Sequence, residues 1–450
     1  MVSRRDQRTA SNGTGRRSAP PAPVPVSLLT AALLAAVSLA PASAPVVAEP
    51  RNGATALADS ERVSTRTVAL AEDEEQAGRC TYPMKEQFKG RPWALQRVIF
   101  DQLWQDTKGR DPSGKPVRVA VIDTGVDRAN PQLKAAVDAG SGADFVKGAK
   151  AGKSSGDGTV DTVGHGTKVA GIIAARPVKG TGFVGLAPEA KIIPIRQNDE
   201  KGNGTTGTLA LAIDHAVREG ADVINISQDT EKPISKNSVL YRAVNRALDH
   251  GAVVVASAGN DGLDGKVKET YPAAYDGVIA VASSDRNNER APFSQRGDFV
   301  DVAAPGVDIV STVPGFGQCV DNGTSFSAPY VSAVAALLRA KHPDWKNYEI
   351  AAQIQQTAER SINGRDDNVG WGVVDPARAL TEDDRRIAEP TPDSGLWKIP
   401  PPEPAALSVG ETPQERQTRY ATYALGSTVL LTVVVAGTAI VLRDHRRRRG

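Results

Sequence analysis

Between about Val117 and Leu380 the sequence predicts an α/β domain, a mostly parallel sheet with helices on both faces. An N-terminal extension precedes it and one C-terminal transmembrane helix follows it. Three observations carry this reading. Apolar runs of strand length recur at Val117–Ile122, Lys191–Ile195, Asp222–Ile226, Ala252–Ala256, Val278–Ala282 and Val300–Ala303, as strands covered on both faces require. Helical patterns lie between them, and strands alternating with helices imply a parallel sheet. Apart from both stands Ala421–Leu442, 22 residues without a charge, long enough to cross a bilayer.

Taken in order, residues 1–48 read as an export signal. Arg4, Arg5, Arg8, Arg16 and Arg17 precede a short apolar run, Val24–Leu39, and then small residues. Pro45 disfavours cutting after Ala44, so Val46-Val47-Ala48 is the expected cleavage motif. Residues 49–116 form the extension. Its first part, Glu49–Ala77, is polar and without periodicity and is expected to be disordered. Its second part spaces Trp93, Leu95, Val98, Phe100, Leu103 and Trp104 as a short amphipathic helix lying on a larger body.

In the domain, 117–380, helical patterns at Thr205–Arg218 and Ser238–Asp249 each close with a glycine, Gly220 and Gly251. Further helices are expected at Ser327–Ala340 and Tyr348–Thr357. Residues 381–420 are a proline-rich linker. Residues 421–442 are the membrane span, and the arginine-rich tail 443–450 is expected in the cytoplasm, with everything before the span outside.

A balance of 54 basic and 52 acidic residues carries no nucleic-acid signature. Cys80 and Cys319 lack metal-site spacing. No acidic cluster is specific enough to assign calcium, and no cofactor is expected.

The chemistry centres on Asp321-Asn322-Gly323-Thr324-Ser325-Phe326-Ser327-Ala328-Pro329. Gly323 allows a tight turn and close approach. Pro329 is expected in the first helical turn, where its missing N–H costs nothing. Ser325 then sits at the positive end of a helix. A hydroxyl nucleophile needs a base and an orienting acid. Of five histidines, His445 lies in the tail, His342 and His250 close helices, and His215 lies within one. His165, in Gly164-His165-Gly166-Thr167, stands at the mouth of a helix of small residues. Asp123 ends the first strand, at the edge where parallel sheets build their sites. Its rival Asp127 lies beyond the glycine turn. Asn260, after Ala258-Gly259, is the candidate oxyanion donor.

The order Asp123, His165, Asn260, Ser325 and the segments around them resemble the subtilisin-like serine proteases across about Val117–Leu380. Arg91-Pro92-Trp93-Ala94, Gly182 to Pro188, Ile195-Arg196-Gln197 and the apolar C-terminal segment are similar to the mycosins, the membrane-anchored subtilases of actinobacterial type VII secretion systems. The resemblance implies a subtilisin-like fold and an extracytoplasmic serine endopeptidase tethered in a lipid bilayer. Its partners would be a protein or peptide substrate and membrane proteins of a secretion complex. The alternative is a structural component of that complex with incidental proteolysis.

The resemblance also places Ser227 in a segment that pairs with substrate, and Ser257, Ala258 and Gly259 along one wall of the specificity pocket. Ser227-Gln228-Asp229 stands where the family often has Ser-Leu-Gly, and Lys168 where many members carry a second histidine. The extension reads as a wrapping element and not as a removable inhibitor. Cys80 and Cys319 are the one available pair in an oxidising compartment; they form a bridge that pins the extension beside the site, or they are two unrelated thiols.

Overall fold

Seven parallel strands organise the chain. The structure is a computed structural model that describes residues 67–69, 80–85, 87–146, 154–232, 234–393 and 411–449. The export signal and the proline-rich centre of the linker lie outside these residues. The strands are β1 (Thr67–Ala69), β2 (Arg118–Asp123), β3 (Ala143–Asp144), β4 (Lys191–Arg196), β5 (Asn203–Thr205), β6 (Val223–Ile226), β7 (Val253–Ser257), β8 (Ile279–Ser284), β9 (Val302–Pro305), β10 (Ile309–Thr312) and β11 (Gln318–Asp321). The main sheet runs β3-β4-β2-β6-β7-β8-β9, and every pairing in it is parallel.

The helices are α1 (Trp93–Gln96), α2 (Phe100–Leu103), α3 (His165–Ala174), α4 (Thr206–Arg218), α5 (Val239–Asp249), α6 (Thr324–Lys341), α7 (Asn347–Gln356), α8 (Pro376–Thr381) and α9 (Pro413–Arg447). Side chains alternate across a strand, so the sheet feeds two cores. Val119, Val121, Val223, Val255 and Val281 pack with α3 and α6 on one face. Ala120, Ile122, Ile224, Ile226 and Val254 pack with α4 and α5 on the other. The same alternation puts Asp123 on the α3–α6 side, in phase with Val119 and Val121.

The sheet and its two helical layers follow the expectation; several boundaries do not. The last strand of the main sheet lies at Val302–Pro305 and not Val300–Ala303, and α6 begins at Thr324, before Ser327. The amphipathic part of the extension is two one-turn helices, α1 and α2, because the chain turns at Arg97–Ile99. The hairpin β10–β11 was not foreseen; Ile309-Val310-Ser311-Thr312 does not alternate apolar with polar. Within the segment expected to be disordered, Thr67–Ala69 pair antiparallel with β5. Backbone hydrogen bonds, which composition does not report, hold that strand.

The extension is integral to the core. Leu95, Val98, Phe100 and Leu103 are buried in the α3–α6 cluster. Trp93 Nε1 donates to the Val307 carbonyl at 2.9 Å, and Trp104 Nε1 to the Leu186 carbonyl at 2.8 Å. Cys80 is disulfide-bonded to Cys319 on β11 across 239 positions of sequence. Met84 N donates to the Phe316 carbonyl, and Phe88 N to Gln318 Oε1.

Helix α9 contains the whole segment 421–442 and starts earlier, at Pro413, where Thr412 caps it by accepting from Glu415 N. It is long and apolar enough to cross a membrane, and its apolar side chains, Leu430, Val434 and Ile440 among them, are exposed. A segment apolar on all sides, on which no described residue packs, suits lipid.

Candidate active site

The β2 strand ends in Asp123, whose side chain is fully buried. Its Oδ1 accepts from Thr124 N at 2.7 Å and lies 2.8 Å from His165 Nδ1. That contact makes Nδ1 the protonated nitrogen and leaves Nε2 as the basic one. His165 is the first residue of α3. Gly166, next to it, has to be glycine: a Cβ there would stand 2.1 Å from the Gly125 carbonyl oxygen and 2.9 Å from Asp123 Cβ.

The loop before His165 is organised by Asp161, which the sequence reading passed over. This buried carboxylate accepts from Gly164 N (2.7 Å), Thr124 Oγ1 (2.8 Å), Thr167 N (2.9 Å) and Thr167 Oγ1 (2.5 Å). The spacing Asp161-x-x-Gly164 was its only sequence signal.

Burial pushes the His165 imidazole down, and the facing Asp123 carboxylate and its hydrogen bond more than offset this, so its pKa lies above the usual 6.5. If His165 acts as a base it must be neutral. The acid limb of kcat/KM is therefore expected above pH 6.5, with activity lost as pH falls through it. A pH–rate profile on a neutral peptide checks this; a limb at or below the ordinary histidine value contradicts it.

Ser325 occupies the second position of α6, just after Gly323, whose φ of 141° few other residues adopt. Its N–H lies in the first turn and has no intrahelical acceptor. Its hydroxyl donates to the Ser227 carbonyl at 3.2 Å, and the Phe326 ring lies 5.1 Å from the His165 ring, centroid to centroid.

Pro329 corrects an expectation. It lies in the second turn, inside the helix, where a missing N–H strands the carbonyl four residues back. That carbonyl belongs to Ser325, and the Ser227 hydroxyl donates to it at 3.2 Å. Ser227 thus both receives the Ser325 hydroxyl and satisfies the Ser325 carbonyl.

Asn260 follows β7. Its Oδ1 accepts from Thr324 N and from Thr324 Oγ1, each at 2.9 Å. Because Thr324 N can only donate, the amide orientation is settled, and Nδ2 falls on the Gly323 side, 3.2 Å from where a Gly323 Cβ would be. Thr324 is a positioning residue that the sequence reading passed over. Ser257 ends β7 with its hydroxyl buried and unpartnered among the described residues. Ala258 N donates to the Val281 carbonyl, and Gly259 N to Thr324 Oγ1.

Lys168, on α3, puts Nζ 2.6 Å from Asp321 Oδ2 and 5.9 Å from the Phe326 ring centroid. Burial lowers the ammonium pKa, and Asp321 reverses the shift to a net rise. The strap after Cys80 meets the same place: Tyr82 lies against Gly164, its Cζ 2.5 Å from where a Cβ would stand. Three of the other four histidines have partners away from this site. His215 Nε2 is 2.9 Å from the Ser141 carbonyl, His250 Nδ1 is 2.7 Å from the Arg246 carbonyl, and His342 Nε2 is 2.6 Å from Asp383 Oδ2. Asp127 accepts from Gly315 N and takes no part in the His165 contact. Among the described residues no group of three or more His, Cys, Asp or Glu side chains is arranged to hold a metal ion.

The chain resembles known proteins in sequence and in fold. A sequence model of the Subtilase family, Peptidase_S8, matches residues 114–372. The thermophilic serine proteinase of Bacillus sp. (strain AK1) is 39% identical over 299 residues, which cover 66% of this chain and 69% of that protein. Subtilisin Savinase of Lederbergia lenta is 37% identical over 288 residues, 64% of this chain and 98% of that one. Two solved structures extend the likeness. MycP1 from the ESX-1 type VII secretion system aligns with a TM-score of 0.59 at 31% identity, over 73% of this chain and 92% of that one. The MycP3 protease from the type VII (ESX-3) secretion system aligns with a TM-score of 0.57 at 30% identity, over 71% and 93%.

Proposed function

Because the chain belongs to the subtilase family and is a serine endopeptidase, we propose that Asp123, His165 and Ser325 form its catalytic triad and that hydrolysis runs through an acyl-enzyme. The observation that carries this is the buried Asp123–His165 hydrogen bond at the mouth of α3, with Phe326, the neighbour of Ser325, against the same imidazole.

In the first step the Ser325 hydroxyl gives its proton to His165 Nε2 as Oγ bonds to the scissile carbonyl carbon. For this it exchanges its bond to the Ser227 carbonyl for one to the imidazole. Asp123 stabilises the imidazolium that results. The carbonyl oxygen becomes an anion, held by Asn260 Nδ2 and the Ser325 N–H. His165 then protonates the leaving amine as the C–N bond breaks. Water, deprotonated by His165, releases the acyl group from Oγ. Subtilases need no cofactor for these steps.

Replacing Asn260 by alanine is expected to lower kcat by about 10²–10³-fold, the loss seen for such a donor in a subtilisin, with KM nearly unchanged. Thr324→Val is expected to lower it less, because the amide stays but loses its orientation. Steady-state kinetics on one peptide check both; an unchanged kcat in Asn260→Ala contradicts the oxyanion assignment.

The α9 helix is read as a single-pass anchor with the catalytic domain outside the cell and residues 443–450 in the cytoplasm, by the arginine-rich flank. Structural likeness to MycP1 and MycP3 supports action beside a type VII secretion complex, on a protein substrate. Comparing secretion in a strain deleted for the chain with one carrying Ser325→Ala tests this. Loss of a cleaved secreted product in both strains supports it. Normal cleavage of every secreted protein in the Ser325→Ala strain contradicts it.

A further inference from the structure

Next to the oxyanion donor the chain holds a carboxylate that none of these steps uses. Gly259 precedes Asn260, and its Cα faces three side chains from three segments. A Cβ on it would stand 2.9 Å from Thr270 Cγ2, 3.2 Å from Asp229 Oδ2 and 3.3 Å from Gln295 Cγ. Asp229 lies two residues beyond Ser227, whose carbonyl holds the Ser325 hydroxyl. So the Asp229 carboxylate reaches across from the Ser227 segment to the Ser257–Gly259 segment.

Asp229 is only 8% exposed, yet no described residue hydrogen-bonds its carboxylate or pairs with it. Gln295 is fully buried, with neither amide atom partnered among the described residues, and the Ser257 hydroxyl is in the same state. Buried polar groups are ordinarily satisfied, and each one left over has a cost. Two beside one glycine, one of them an acid, describe a cradle for a donor-rich cation that arrives from outside.

Among the described residues no cation fills it. Asp261 and Glu231 add negative charge to the Asp229 surroundings. Lys268, the basic group there, is 2.7 Å from Glu231 Oε1 and 3.6 Å from Asp264 Oδ2. Thr230, the next residue, is bridged to Tyr271, whose hydroxyl bonds Glu269 and not Asp229.

We propose that Asp229, with Gln295, closes the pocket for the side chain immediately before the scissile bond, so that this chain cleaves after lysine or arginine. The proposal rests on the protease reading and names its substrate class. Lysine and arginine bring a long apolar stem and a charged head with several donors, and an ionised acceptor makes the stronger hydrogen bond with them. Glycine at 259 lets the carboxylate come this close to the Ser257–Gly259 segment; any side chain there would press on Asp229 and Thr270.

The charge state supplies a second readout. Burial, with Asp261 and Glu231 adding to it, pushes the Asp229 carboxyl up to about 8. The empty pocket is therefore mostly neutral at pH 7, and a bound ammonium or guanidinium ionises it. Preference for a basic residue should strengthen as pH rises through about 8.

The test uses the full chain in detergent micelles and peptides that differ only before the scissile bond, lysine against norleucine and arginine against citrulline. The expected kcat/KM ratio is about 100-fold for lysine over norleucine, rising with pH. Asp229→Asn should bring that ratio to within about threefold and abolish its pH dependence, with Asp229→Glu retaining part of it. If a variant does not fold, the ratio in the unaltered chain decides. Equal or faster cleavage after norleucine, with Ser325 still reacting with a neutral fluorophosphonate, overturns the pocket assignment and leaves the protease reading standing. No cleavage and no phosphonylation overturn both.

Discussion

Ser325→Ala is expected to reduce kcat by about 10⁶-fold, leaving only the small residual rate that binding and the oxyanion donors sustain. The size follows from how the parts depend on one another. Without Oγ there is no bond to the acyl carbon, so His165 has no proton to take and Asp123 no imidazolium to stabilise. His165→Ala should therefore cost about as much, and the double variant hardly more than either single one. The fold should be unaffected. Ser325 is a buried small residue in the first turn of α6, and alanine suits a helix. Its lost hydrogen bond to the Ser227 carbonyl is a single neutral one, worth about 1 kcal/mol. A thermal melt within a few degrees of the unaltered chain, beside the collapse in kcat, would separate chemistry from folding. A fall in kcat of tenfold or less would remove Ser325 from the mechanism.

Loss of the Cys80–Cys319 disulfide is expected to destabilise the chain by about 2–5 kcal/mol, the upper end coming from loop closure over so long a separation. The bridge joins a strap that Met84, Phe88 and Trp93 also fasten, so the native state loses little geometry and the unfolded chain gains most of the freedom. Cys80→Ser with Cys319→Ser is the suitable variant, because a single change leaves a thiol on the nearly buried Cys319. At roughly 2–4 °C per kcal/mol for a domain of this size, the melting temperature should fall by about 5–20 °C. The Tyr82 contact with Gly164 should loosen with it, and amide exchange in residues 80–90 should accelerate. An unchanged melt in the double variant would mean the strap is held by its other contacts alone. The buried Leu95, Phe100 and Leu103 also argue that the extension stays on the mature protein; sequencing should find no N-terminus near Val117.

What the sequence made legible follows from where chemistry restricts residue choice. Asp123, His165 and Ser325 each lie within two residues of a glycine, and Asp123 closes an apolar strand while the other two open helices. Pro329 was misread because residue type reports a missing N–H but not which carbonyl is stranded or what repairs it; that needs Ser227, about a hundred residues away. Thr324 and Asp161 act through hydrogen bonds to distant backbone, and a threonine or aspartate in a loop has too many ordinary uses to stand out. The departure at Gln228-Asp229 was visible as a mismatch, but its meaning depended on Gln295 and Thr270, which only the fold brings to Gly259. The strap was half legible. Its cysteine pair was unique in the chain, whereas the pairing of Thr67–Ala69 with β5 left no trace in composition.

The central claim is that Ser325 is a nucleophile activated by His165, and one measurement meets it directly. The full chain in detergent micelles is treated with a neutral fluorophosphonate, then digested and mapped by mass spectrometry. The predicted result is one adduct per chain on Ser325, formed faster as pH rises through the raised His165 pKa and absent in His165→Ala. An adduct on another residue, or none at any pH with the chain still folded, would contradict the account.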